Sequence, residues 1–186
     1  MTQGENNPMV NNYKTKLQQV ISIPVSLFKS MRGKYFVGQT GTLLVGNESD
    51  TWAGLINPRN SNVNLYVNVF TISNFSDNYL TAEIWLNTNL PEKGNISHKI
   101  SPTNTTLNPL PKNRVQIGFV ESTTQVPEKG VNVYERIVPP HTTLVGEEDG
   151  KFIESPAGNY VIVLKSTSSK LNKVIVAFGW WEKSIC

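Results

Sequence analysis

Apolar and polar positions alternate most cleanly between residues 63 and 73. Val63, Leu65, Val67, Val69 and Thr71 fall on one side of that run, with Asn64, Tyr66, Asn68, Phe70 and Ile72 on the other. A period of two is what a strand with unlike faces requires. Residues 79–87 repeat the pattern, with Leu80, Ala82, Ile84 and Leu86 inward and Trp85 opposite. The polar stretch 74–78 between them predicts an antiparallel pair. Two denser runs, 159–165 and 173–182, are rich in β-branched and aromatic residues and hold no proline, so both fit the interior of a sheet. Within the second, residues 174–178 do not alternate, which predicts a strand covered on both faces between two packed sheets. These two runs are expected to form the middle of the core.

Turn chemistry separates the remaining pieces. Strands are predicted at 34–37, 42–45, 52–56, 114–121, 131–138 and 142–145, with Glu147-Glu148-Asp149-Gly150 as a hairpin-like turn. Pro91-Glu92-Lys93-Gly94 recurs as Pro127-Glu128-Lys129-Gly130 without matching flanks, so it is repeated turn chemistry and not an internal repeat. About eight to ten short strands, almost no helix and a long excursion at 101–113 predict an all-β fold, a jelly-roll or Greek-key β-sandwich. That domain is expected to span 34–186, preceded by an N-terminal arm with one short helix at 1–33.

The arm is polar through residue 12 and then turns apolar at Leu17, Val20, Ile21, Ile23 and Val25. Residues 21–25 alternate like a short edge strand. Pro24 suits the first turn of a helix over 25–31 that Gly33 closes. Either the arm folds back over its own domain or it docks on a neighbouring subunit. Burying Leu17, Val20, Ile21 and Ile23 would contribute about 1.5–3 kcal/mol each. Ordering the ten or so residues that carry them costs roughly 1–2 kcal/mol apiece. Stable docking therefore calls for backbone pairing to a sheet edge as well.

Composition mostly excludes. The 17 Lys and Arg residues against 14 Asp and Glu are scattered, giving +3 with no basic stripe for nucleic acid. No stretch approaches the roughly 18 apolar residues of a membrane span, and no signal-peptide pattern opens the chain, so synthesis in the cytosol is expected, with any export by lysis or a non-Sec route. Cys186 is the only cysteine among the 186 residues; it is either an inert thiol or a cross-link between subunits. His98 and His141 are the only histidines, too few for a zinc or cupin-type site, and no catalytic motif or phosphate loop is present. No metal, cofactor or catalytic residue is expected. A calcium role for Glu147-Glu148-Asp149 is weighed against a solvated acidic turn, which is preferred. Among four tryptophans, Trp180 and Trp181 must face opposite sides of one strand. One belongs to the core; Trp181 and Trp85 are candidates for a subunit contact or a glycan-stacking surface.

Tyr35-Phe36-Val37-Gly38, the run Trp52-Ala53-Gly54-Leu55-Ile56-Asn57-Pro58, Asp149-Gly150-Lys151-Phe152-Ile153 and Ala177-Phe178-Gly179-Trp180-Trp181-Glu182 together resemble a small uncharacterised family of endospore-forming Bacillota. A jelly roll behind an arm is also similar in architecture to the subunits of Bacillus endospore appendage fibres. There the arm of one subunit enters or lies against the next. Those subunits are cysteine-rich and this chain is not, so the resemblance implies no covalent stapling. What it implies is a non-enzymatic, self-assembling subunit of a spore-surface or extracellular fibre. The alternative is a carbohydrate-binding module.

Overall fold

The structure is a computed structural model that describes residues 20–90, 94–125 and 127–185. Leu17, Cys186 and residues 91–93 of the turn expected at 91–94 lie outside the described residues. In chain order the elements are α1 (Val25–Met31), β1 (Tyr35–Gln39), β2 (Leu43–Val45), β3 (Asp50–Ile56), β4 (Val63–Asn74), β5 (Leu80–Leu86), β6 (Asn95–Ile96), β7 (Ile100–Pro102), β8 (Gln116–Thr123), β9 (Val131–Val138), β10 (Thr143–Glu154), β11 (Asn159–Lys165) and β12 (Asn172–Ser184).

Two antiparallel sheets face each other. One runs β10-β4-β12-β1-β7, with β2 continuing along β12 where β1 stops; the other runs β6-β8-β3-β11-β5-β9. From β2 to β5 the chain changes sheet at every step, and it does so again from β9 to β12. The result places β1-β12-β4-β10 over β3-β11-β5-β9, a jelly roll, with β6, β7 and β8 inserted between its halves. Leu55, Leu65, Phe70, Ile84, Ile162, Val176 and Trp180 fill the space between the sheets.

Several expectations change. The runs at 63–73 and 79–87 are strands, but β4 and β5 sit in opposite sheets and do not pair. Alternation reports which face is buried, not which strand is the neighbour. The corner between them is held by Asn74, whose Nδ2 donates to the carbonyls of Asn78, Val138 and Pro139. Along β4 the buried side switches: Val63, Leu65 and Val67 point inward, then Phe70 and Ile72 do. An irregularity beside Gly179 and Trp180 skips Asn68 in the register, which turns the following residues over. The two late runs do lie mid-sheet, but apart. β11 is the strand buried on both faces, because Trp52, Val120, Val161 and Val163 form a second small core on its outer side. β12 buries Val174, Val176 and Phe178 and leaves Ile175 and Ala177 half-buried on the outer face.

The acidic stretch at 147–150 is not a hairpin turn, and it is solvated only in part: Glu147 and Asp149 are exposed and Glu148 is buried. β10 continues through it, since Glu147 pairs with Val69 and Phe152 with Val67 on the same strand. The extra residues form a bulge in which Asp149 (φ 50°) and Gly150 (φ 74°) are left-handed. That twist buries Glu148, whose carboxylate lies 3.4 Å from Lys151 Nζ and accepts a 3.4 Å hydrogen bond from Tyr160 Oη. Residues 21–24 form no strand, whereas α1 occupies the expected span.

One buried acid makes a testable statement about pH. Glu154, at the end of β10, is 3 % exposed. Burial pushes its carboxyl up from an ordinary 4.5 to about 7, against a hydrogen bond from Asn87 that favours the charged form. A carboxyl raised on folding binds more protons when folded, so stability falls as pH climbs from about 4.5 to about 7 and is then level. At roughly 1.4 kcal/mol per pH unit the loss reaches about 3 kcal/mol. Glu154→Gln should raise the urea midpoint at pH 8 and leave it nearly unchanged at pH 4.5. Equal midpoint shifts at both pH values would refute this assignment.

Candidate interaction surface

A seven-residue helix has little stability of its own and normally borrows it by burying an apolar face. α1 buries no residue. At 100° per residue, Leu27, Phe28 and Met31 share one side with Val25 at its margin, and Ser26, Lys29 and Ser30 take the other. The polar side faces the protein. Thr103 Oγ1 donates to Ser30 Oγ at 2.7 Å, and Asn104 Nδ2 donates to the Met31 carbonyl at 3.3 Å. Leu107 and Pro111 press on Gly33 in the turn below, where any Cβ would meet them at 2.6 Å. Gly33 N–H and Lys34 N–H close the helix on the Ser30 and Lys29 carbonyls.

The apolar side therefore looks outward. Together with Val20, Ile21 and Ile23 it makes a run of seven apolar side chains, from 38 % exposed at Phe28 to 81 % at Val20. Cations cluster beside the helix, around Lys29 on its polar side. Partial burial pushes the Lys29 ammonium below its usual value, and the charges of Lys34, Lys183 and Arg32 push it further. The Arg32 guanidinium also lies 4.6 Å over the Phe28 ring.

A second apolar surface lies on the outer face of the β10-β4-β12-β1-β7 sheet. Across β4, β12, β1 and β7 an open trough of about 600 Å³ is lined by Val37, Val69, Thr71, Ile100, Ala177 and Gly179, with Lys99 and His98 at one rim. It is open because, between Ile175 and Trp181, the central strand carries only Ala177 and Gly179 on that side. Gly179 has to be bare, since a Cβ there would meet Tyr35 Oη at 2.6 Å and Val69 Cγ1 at 2.8 Å.

Of the residues singled out from the sequence, Val25 lies at the margin of the outward side of α1, and Val20, Ile21 and Ile23, just before the helix, are exposed as well. Trp181 and Trp85 are not part of that surface. Trp181 is 5 % exposed, stacked on Tyr66 at 5.5 Å and covered by the bulge at Gly150, so neither ring face is open. Trp85 is half-buried against the small outer core, and its Nε1 donates to Glu83 Oε2 at 3.0 Å. His98 and His141 are both exposed, His141 with Asp77 at 2.8 Å. Among the described residues no three His, Cys, Asp or Glu side chains gather where they could hold a metal, and no helix is long and apolar enough to cross a membrane. Sequence reading missed Leu27, Phe28 and Met31. Their i, i+1, i+4 spacing was visible, but an amphipathic helix ordinarily turns that side inward.

No curated protein and no solved structure matches the chain. A family model does match, over residues 6–186, which is nearly the whole length. The chain belongs to a family of unknown function, DUF6143.

Proposed function

We propose that this protein is a non-catalytic structural subunit that assembles with copies of itself, head to tail, into a spore-surface or extracellular fibre. The observation that carries the reading is the reversed helix. Its polar side is hydrogen-bonded to its own domain, and its apolar side, like Val20, Ile21 and Ile23 just before it in the chain, has no cover among the described residues. Seven exposed apolar side chains in twelve residues are costly to leave in water and mark a contact surface. The spore-surface setting and the fibre rest on the resemblance described above. A donor at one pole that meets a different surface on the next copy is heterologous, and a heterologous contact that does not close gives a filament.

The test is the double substitution Leu27→Asp with Met31→Asp in the full chain. Neither side chain is buried, so the jelly roll should keep its circular dichroism and melting temperature. Two carboxylates in the contact should remove large species from size-exclusion and negative-stain images, since an unpaired charge buried in an interface costs several kcal/mol. Filaments that persist in the variant would reject the role of this segment. The glycan reading retains only Trp85, and its ring is partly covered by its own domain.

A further inference from the structure

We propose that the trough on the outer face of the sheet is the surface of a neighbouring copy that receives the apolar side of α1 and residues 20–23. The proposal rests on the reading that the chain assembles with itself, and adds to it the acceptor. Three observations lead there.

The first is that the terminal strands of the two sheets, β10 and β7 in one and β9 and β6 in the other, are poor edges for strand addition. β10 carries its bulge and the charged residues 147–151. β9 has an irregularity opposite Ile84 and Trp85, with Glu135 and Arg136 exposed. β7 has three residues and ends in Pro102, and β6 has two. Bulges, charge, proline and brevity are the ways in which edges are kept from pairing. A face and not an edge is left to receive the helix and residues 20–23.

The second is area. The exposed surface of Val20, Ile21, Ile23, Val25, Leu27, Phe28 and Met31 sums to on the order of 700 Å², close to the roughly 800 Å² that a standard interface takes from each partner. The trough is a shallow, open concavity of about 600 Å³ on the same chain, where Val37, Val69 and Ala177 lie beside Gln39, Thr71 and Ser101.

The third is that α1 is fixed. Its bonds to Thr103 and Asn104, and the packing of Leu107 and Pro111 on Gly33, hold the apolar side away from its own body. The donor side chains are exposed and none of them lines the trough of their own molecule, whereas a second copy presents the same trough.

Two full-chain variants separate the parts. The donor variant is Leu27→Asp with Met31→Asp. The acceptor variant is Val37→Lys with Ala177→Lys, which fills the trough and repels the basic rim of the helix. Ala177→Met, which fills it without charge, serves wherever circular dichroism shows the lysines to unfold the sheet. In sedimentation velocity each variant alone should run as a monomer. An equimolar mixture should give a species of twice the monomer mass and nothing larger, because only one intact donor and one intact acceptor remain. An acceptor variant that polymerises like the unmodified chain would overturn the trough and leave self-assembly standing. An unmodified chain that stays monomeric would overturn both. So would a monomer that pellets only with phosphatidylserine vesicles, which would assign the basic, apolar helix to a lipid surface.

Discussion

Trp180→Ala should be the most damaging single substitution in the sandwich, with a loss of about 3–5 kcal/mol. The indole is fully buried between the sheets and packs on Phe36 with ring centroids 5.9 Å apart. Its removal leaves a cavity that strands paired on both sides cannot collapse into. It also removes a hydrogen bond, since Nε1 donates to Glu182 Oε1 at 3.2 Å. Glu182 is itself buried, and burial raises its carboxyl above the usual range although the backbone N–H groups of Arg114 and Val115 and the Trp180 indole favour the charged form. One donor fewer makes that carboxylate costlier to hold. Domains of this kind have about 5–15 kcal/mol in all, so the urea midpoint should drop by more than about 1 M. Trp85→Ala, half-buried on the outer face, should cost clearly less. Equal losses at the two sites would mean that Trp180 does not lie between the sheets.

The second large effect is expected at Gly150. Two independent penalties meet there. The backbone is left-handed at φ 74°, which costs an L-residue roughly 1–2 kcal/mol. A Cβ would also stand 2.1 Å from the Trp181 ring, which is pinned between the bulge and Tyr66 and has Tyr35 at 6.4 Å. Overpacking of that kind costs about 1–3 kcal/mol. Gly150→Ala should therefore lose about 2–4 kcal/mol and roughly 5–15 °C in Tm. Gly41→Ala, where an added Cβ meets nothing within 4 Å, should change little. If the two variants melt together, the bulge is not seated on Trp181.

These two sites show where the sequence could be read and where it could not. Burial is a local property with a period of two, so the inward side of β5, the positions of β9 and β11 and the all-β class were legible. Neighbours are a global property. A jelly roll changes sheet between successive strands, so adjacency in sequence misled for β4 and β5. Irregularities were also hidden. A single skipped residue at Asn68 exchanges Val69 and Thr71 for Phe70 and Ile72 in the core, and composition carries no mark of it. Glu147-Glu148-Asp149-Gly150 looks like a polar turn because the bulge that buries Glu148 is formed by its pairing with β4, not by its own residues. The candidate surface was half legible. Val20, Ile21, Ile23 and Val25 stood out as apolar residues in a polar leader. That α1 presents its apolar side to solvent depends on Thr103 and Asn104, more than seventy residues further on. The trough is a matter of what Ala177 and Gly179 leave empty, which a sequence shows only once their strand has neighbours.

The central claim is that the outward apolar run over residues 20–31 is covered by another copy of the chain. Sedimentation velocity of the unmodified full-length protein over a hundredfold range of concentration tests it most directly. The account predicts a weight-average sedimentation coefficient that climbs steadily with concentration as copies add end to end. A single monomer boundary, unchanged from the most dilute sample to the most concentrated, would contradict it.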